Sequence, residues 1–227
     1  MTTAAPETAG ATVDPPDDTT LTRSGLGPRG CGQVLLIACG ALAREILDLK
    51  AQNGWDHLDL TCLPAILHNH PERITQAVRD TVARHRGSYD SIHVLYGDCG
   101  TGGLLQAACE DMGVQMLPGP HCYSFFEGVE KFATRGEVTS FFLTDFLVRQ
   151  FDAFVWKPLG LGRHPELLEM YFGNYETLVY QAQTDDPALT ELARHHAARL
   201  GLTFERRLTG YGDLETAMAG WARSAPR

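Results

Sequence analysis

The sequence predicts an α/β protein: a mainly parallel sheet flanked by helices, with a helical, aromatic-rich insertion in the middle of the chain. Short apolar runs alternate with segments of helical period. Strand–helix–strand order implies right-handed crossovers and parallel pairing. The 227 residues are 44% hydrophobic, enough for one sizeable core.

The elements follow in order. Residues 1–30 are rich in Thr, Ala, Pro, Asp and Gly without periodicity and read as a disordered tail; residues 31–227 read as a single α/β domain. "QVLLIA" (33–38) is a buried strand. "GALAREILDLKAQNG" is a helix with Leu42, Ile46 and Leu49 on one face and Gly54 as its stop. "LDLTCL" (58–63) is the next strand. "PERITQAVRDTVARHRG" is a helix opened by Pro71 and closed by Gly87. "SIHVLY" (91–96) is a strand, "LLQAACEDMG" a helix and "VQML" (114–117) a strand. The insertion, "YSFFEGVEKFA", "SFFLTDFLVRQFDAFVW" and "HPELLEMYFG", reads as helices whose aromatic residues are core. "ETLVYQAQT" is a strand, "PALTELARHHAARLG" a helix, "LTFERRL" a strand and "DLETAMAGWA" a final helix. Within the penultimate helix, "RHHAAR" (194–199) reads as a solvated face.

Charge and hydropathy narrow the partners. A net charge of -9 repels phosphate backbones, so no nucleic acid is expected. No apolar run approaches the ~20 residues that span a bilayer. The N-terminus has no basic start followed by an apolar core. The expectation is a cytoplasmic protein acting on a small molecule. In a reducing compartment its six cysteines are thiols or ligands rather than disulfides. Cys109 reads as core and Cys31 as incidental.

In parallel sheets, ligands sit beyond the carboxyl ends of the strands. Three cysteines fall there: Cys39 and Cys99, each followed by glycine at a strand-to-helix corner, and Cys122 in "PGPHCY". Glycine allows a sharp turn and close ligand approach. A thiol at a helix N-terminus has its pKa lowered by the dipole. Cys39, Cys99 and Cys122 with His121 make a soft donor set. It suits zinc, with an iron–sulfur cluster as the alternative. There is no CxxC pair, and ligands scattered over several strand ends suit a catalytic site. His68 is a candidate acid/base, or a further ligand with His70; Asn69 or His70 can equally cap the helix behind them. Asp98 is a candidate base or histidine partner, or the cap of the next helix. Gly100 and Gly102 in "GDCGTGG" can form an anion nest for a cofactor, without the Lys-Ser/Thr of a phosphate loop. Arg163 at a helix entrance can hold a carboxylate or phosphate.

Taken together, Cys39 to Leu42, Leu63 to His68, Tyr96 to Gly100 and His121 to Tyr123 resemble the motifs of an uncharacterised prokaryotic domain-of-unknown-function family. The resemblance covers about residue 33 to the C-terminus. Its members are often encountered beside corrinoid-dependent methyltransferases, which implies methyl-group or one-carbon metabolism and a corrinoid or methyltransferase protein as partner.

Three functions are therefore expected: a metal-dependent enzyme, a transferase or lyase/hydrolase; a metal-free enzyme using two cysteines as acid and base, as racemases do; or a metal or methyltransferase accessory protein.

Overall fold

The computed structural model of the chain describes residues 16–30 and 32–224. Helix α1 (Asp18–Arg23) opens it, capped by the Asp17 carboxylate, which accepts the Thr20 N–H. The expected tail therefore differs in its second half. Residues 1–15 and Cys31 lie outside the described residues, but α1 is packed, with Leu21 fully buried. Its polar composition conceals a helix held by one leucine and by ion pairs.

The first half alternates as expected: β1 (Val34–Cys39), α2 (Ala43–Asn53), β2 (Leu58–Leu63), α3 (Ile74–His85), β3 (Ser91–Leu95), α4 (Leu104–Met112) and the two-residue β4 (Gln115–Met116). The strands form a parallel sheet in the order β2-β1-β3-β4. Buried throughout its length, β1 is a continuous apolar run rather than an alternating one. Ile46 and Leu49 of α2 are buried as the periodicity requires.

The insertion departs from expectation. It begins with α5 (Ser124–Glu127) and α6 (Val129–Arg135), separated at Gly128. Ser140–Leu143 then form a strand, β5, where the sequence reads as helix. Thr144 caps the following helix by accepting the Leu147 N–H, so helix starts only after "SFFL", whose paired phenylalanines suit a strand. Helix α7 (Asp145–Arg149), a π-helical turn (Asp152–Trp156), α8 (Leu167–Phe172), β6 (Thr177–Ala182), α9 (Pro187–Leu200), β7 (Thr203–Leu208) and α10 (Gly212–Ser224) complete the chain.

Strands β5, β6 and β7 form a second parallel sheet, in that order, rather than extending the first. Each sheet has its own hydrophobic core, one around β1 and one around β6. The final helix returns to the first core, where Leu214 and Met218 are fully buried and Trp221 stacks on His93 at 4.4 Å. In α9, His196 is no solvated residue: it is buried, stacked on Phe151 and bonded through Nε2 to the Val148 carbonyl.

Candidate functional site

Three chain segments converge at the carboxyl edge of the first sheet. The chain leaves β1 at Cys39 and turns at once through Gly40–Leu42. A Cβ on Gly40 would lie 2.3 Å from the Leu21 carbonyl, so this glycine admits the backbone of α1 rather than a ligand. Past β3, the loop holding Cys99 is bonded to the loop holding Cys122. Asp98 N–H donates to the Gly119 carbonyl at 2.8 Å and Cys99 N–H to the Pro120 carbonyl at 2.9 Å. Gly97 closes the arrangement, since a Cβ there would stand 2.6 Å from the His121 carbonyl carbon. Among the described residues Cys99 alone combines a side chain with positive φ, at 47°. Such backbone conformations persist where their surroundings impose them, and they cluster at functional sites.

The thiols form one cluster. Cys99 Sγ and Cys122 Sγ are 3.4 Å apart, and Gly97 N–H points at Cys122 Sγ from 3.4 Å. Hydrogen bonding from Cys122 lowers the Cys39 thiol, opposed by burial and helped by the Ala41 N–H and the Tyr96 hydroxyl. Cys122 is correspondingly raised, because it serves as the donor to Cys39 and Cys99. Cys99 is pushed down to about 3, first by Cys122, against burial, and then by His121 and His68. The sequence pointed to a helix dipole as the cause. The free amides before α4 are instead taken by Asp98, which accepts Gly102 N–H at 3.1 Å and Gly103 N–H at 2.6 Å.

A cavity of about 270 Å3 opens onto this cluster. Cys39, Cys99, Cys122, His68 and His121 line one side. The other side is β5, from Ser140 to Leu143, with Tyr123, Phe126, Phe154 and Tyr175. His121 stacks on Tyr123 at 4.9 Å, and its Nδ1 is buried without a hydrogen-bond partner. His68 is solvent-exposed at the mouth, with its pKa raised chiefly by the Cys99 thiolate.

The remaining candidates lie elsewhere. Asp98 does not line the cavity. Its carboxylate also accepts the Thr101 hydroxyl at 2.8 Å, and the Gly103 amide foremost lowers its pKa, which makes it the anchor of the glycine turn. Gly100 and Gly102 are exposed, at φ 86° and 64°; they supply left-handed turns rather than a cofactor cradle. Arg163 is exposed, in the turn before α8, and is also absent from the cavity wall. His70 is exposed beside Glu72. Cys62 and Cys109 are core thiols, both raised by burial. Sequence reasoning missed Phe141, Phe142 and Phe154 as walls of the cavity. The adjacent phenylalanines of "SFFL" were the available signal, obscured by the helical reading of the segment.

A family model described as Protein of unknown function (DUF1638) matches residues 62–218. The chain belongs to this family. The match includes His68, Cys99, His121, Cys122 and β5, and begins after Cys39. No curated protein and no solved structure matches the chain. Among the described residues, no group of three or more His, Cys, Asp or Glu side chains is arranged around a common metal position.

Proposed function

We propose that the chain is a metal-dependent enzyme whose Cys39, Cys99 and Cys122 thiolates, with His121, hold a zinc ion at the floor of the cavity. The observation that carries this reading is the convergence of three thiols, from three separate strand ends, into one cluster facing two imidazoles. The donor types suit the ion, and the side chains would have to close around it, since they share no common metal position as they stand. Thiolates on tetrahedral zinc lie about 3.8 Å apart, as 2.3 Å bonds require. Cys99 and Cys122 sulfurs stand 3.4 Å apart before any adjustment. The unpartnered, buried Nδ1 of His121 is a nitrogen free to ligate. Binding would displace the protons shared among the thiols, so affinity should weaken as pH is lowered.

Four protein ligands fill tetrahedral zinc, so the ion would supply Lewis acidity or activate a thiol substrate where one of them gives up its place or the coordination expands to five. The chain's own residues do the rest. His68, at the mouth, can exchange protons with a molecule held against the cluster, and the aromatic wall excludes water around it. Transfer, elimination or hydrolysis on a small molecule is then within reach. The family resemblance adds methyl-group or one-carbon metabolism as the setting, with a corrinoid or methyltransferase protein as partner.

The two-cysteine racemase reading is less well supported. Its acid and base would be Cys39 and Cys99, which must stand on two sides of a substrate, whereas both share hydrogen bonds with Cys122 on one side of the cavity.

Metal quantification on anaerobically purified protein tests the proposal. About one zinc per chain is expected, with ~10-fold or greater loss of affinity in Cys39→Ser, Cys99→Ser and Cys122→Ser. Cys109→Ser should keep the metal. A brown protein with iron and sulfide would replace zinc by a cluster. No metal even after zinc addition would overturn the reading.

A further inference from the structure

The wall opposite the thiols is rich in aromatic side chains. Tyr123, Phe126, Phe141, Phe142, Phe154 and Tyr175 all border the cavity. Tyr123 and Phe142 are stacked at 5.5 Å, and Phe141 meets Tyr175 edge to face at 5.7 Å. All but Phe126 keep partial solvent exposure, so their surfaces are not consumed by the core.

No Lys, Arg, Asp or Glu is among the described residues lining this space. The imidazoles of His68 and His121 line the thiol side, so an anionic substrate finds no counter-charge among the rings. A primary ammonium fares no better, because it needs several acceptors to replace its water and no carboxylate supplies them. A cation without N–H groups has neither need. Its charge is spread over methyl groups, it is weakly hydrated, and it is attracted by the negative faces of aromatic rings.

We infer that the cavity binds a methylated onium group, a quaternary ammonium or sulfonium, within the ring cluster of Tyr123, Phe141, Phe142 and Tyr175. The inference rests on the reading of this cavity as the substrate site. It does not require the metal, since the rings come from β5 and its neighbours rather than from the proposed ligands.

Calorimetric titration with choline and with its neutral carbon isostere, 3,3-dimethylbutan-1-ol, tests it. The isostere has the same shape without the charge. Wild-type protein should bind choline ~10-fold or more tightly than the isostere. Phe142→Leu keeps the position apolar while removing a ring, and should narrow that ratio several-fold. Equal affinities for the two compounds would show a merely apolar cavity and overturn the inference, as would no choline binding at millimolar concentration. Repeating the titration after chelator treatment, with metal content measured in parallel, separates this outcome from failure of the metal proposal. The preference for charge should persist in both preparations.

Discussion

At the scale of single residues, the site depends on unequal environments for similar groups. Cys99 is held low by donors, while Cys62, two strands away, is raised by burial without any donor to offset it. Hydrogen bonding, not position alone, separates a thiolate from a core thiol. Glu45 shows the opposite effect. It sits in the first turn of α2, just behind the Cys39 corner, only 4% exposed, and burial raises its pKa from the ordinary 4.5 to about 7. Below pH 4.5 the carboxyl is protonated in folded and unfolded chains alike, so it costs nothing. Above pH 7 it is ionised in both, and the full cost of burying the charge applies. Stability should therefore fall as pH rises from about 4.5 to 7, by on the order of 3 kcal/mol. Glu45→Gln should remove this loss. Denaturant unfolding at pH 5 and pH 8 would show the variant gaining on wild type at the higher pH; parallel changes in both proteins would refute the assignment. The strand-end positions of Cys39 and Cys99, after apolar runs and before glycines, were legible in the sequence, as was the position of Cys122 in the loop past β4. The places of Asp98 and Arg163 were not, because a carboxylate that caps a turn and one that meets a substrate look alike in sequence, as do an exposed arginine and one that holds an anion.

At the scale of elements, two loops make the site. The turn after β3 and the "PGPHCY" loop are bonded along their backbones. Gly97 is the close contact between them. Gly97→Ala should push the His121–Cys122 backbone away and break the 3.4 Å approach of Gly97 N–H to Cys122 Sγ. The expected result is loss of most metal binding with a folded core, read as metal content beside an unchanged far-ultraviolet spectrum. Retained metal would show that the loop tolerates the methyl group. The strands of the first half were readable because β1 is a continuous apolar run closed by glycine turns. Strand β5 was not. Four residues are too few to show a period, and the helical pattern of Phe146, Arg149 and their neighbours ran backward over them.

For the whole molecule, the cavity depends on how the two sheets meet, with β5 facing the carboxyl edge of the first. Helix α1 ties the halves together. The Asp18 carboxylate accepts Arg44 Nε of α2 through one oxygen and Arg149 Nε of α7 through the other, each at 2.8 Å. Asp18→Ala should cost about 1.5–3 kcal/mol, the usual worth of hydrogen bonds to a charged group. It should also weaken choline binding, since the cavity is assembled from both halves. A variant with wild-type stability and affinity would show that the halves dock without this link. The sequence by itself determined the alternating α/β pattern, the parallel pairing of the first half and the placement of Cys39, Cys99 and Cys122 at strand ends, because all of these follow from local periodicity and from the geometry of crossovers. Only the tertiary structure decided that the second half forms its own sheet, that the N-terminal helix packs on the Cys39 corner, and that aromatic rings face the thiols. Those outcomes depend on contacts between segments far apart in the chain, which no local pattern encodes.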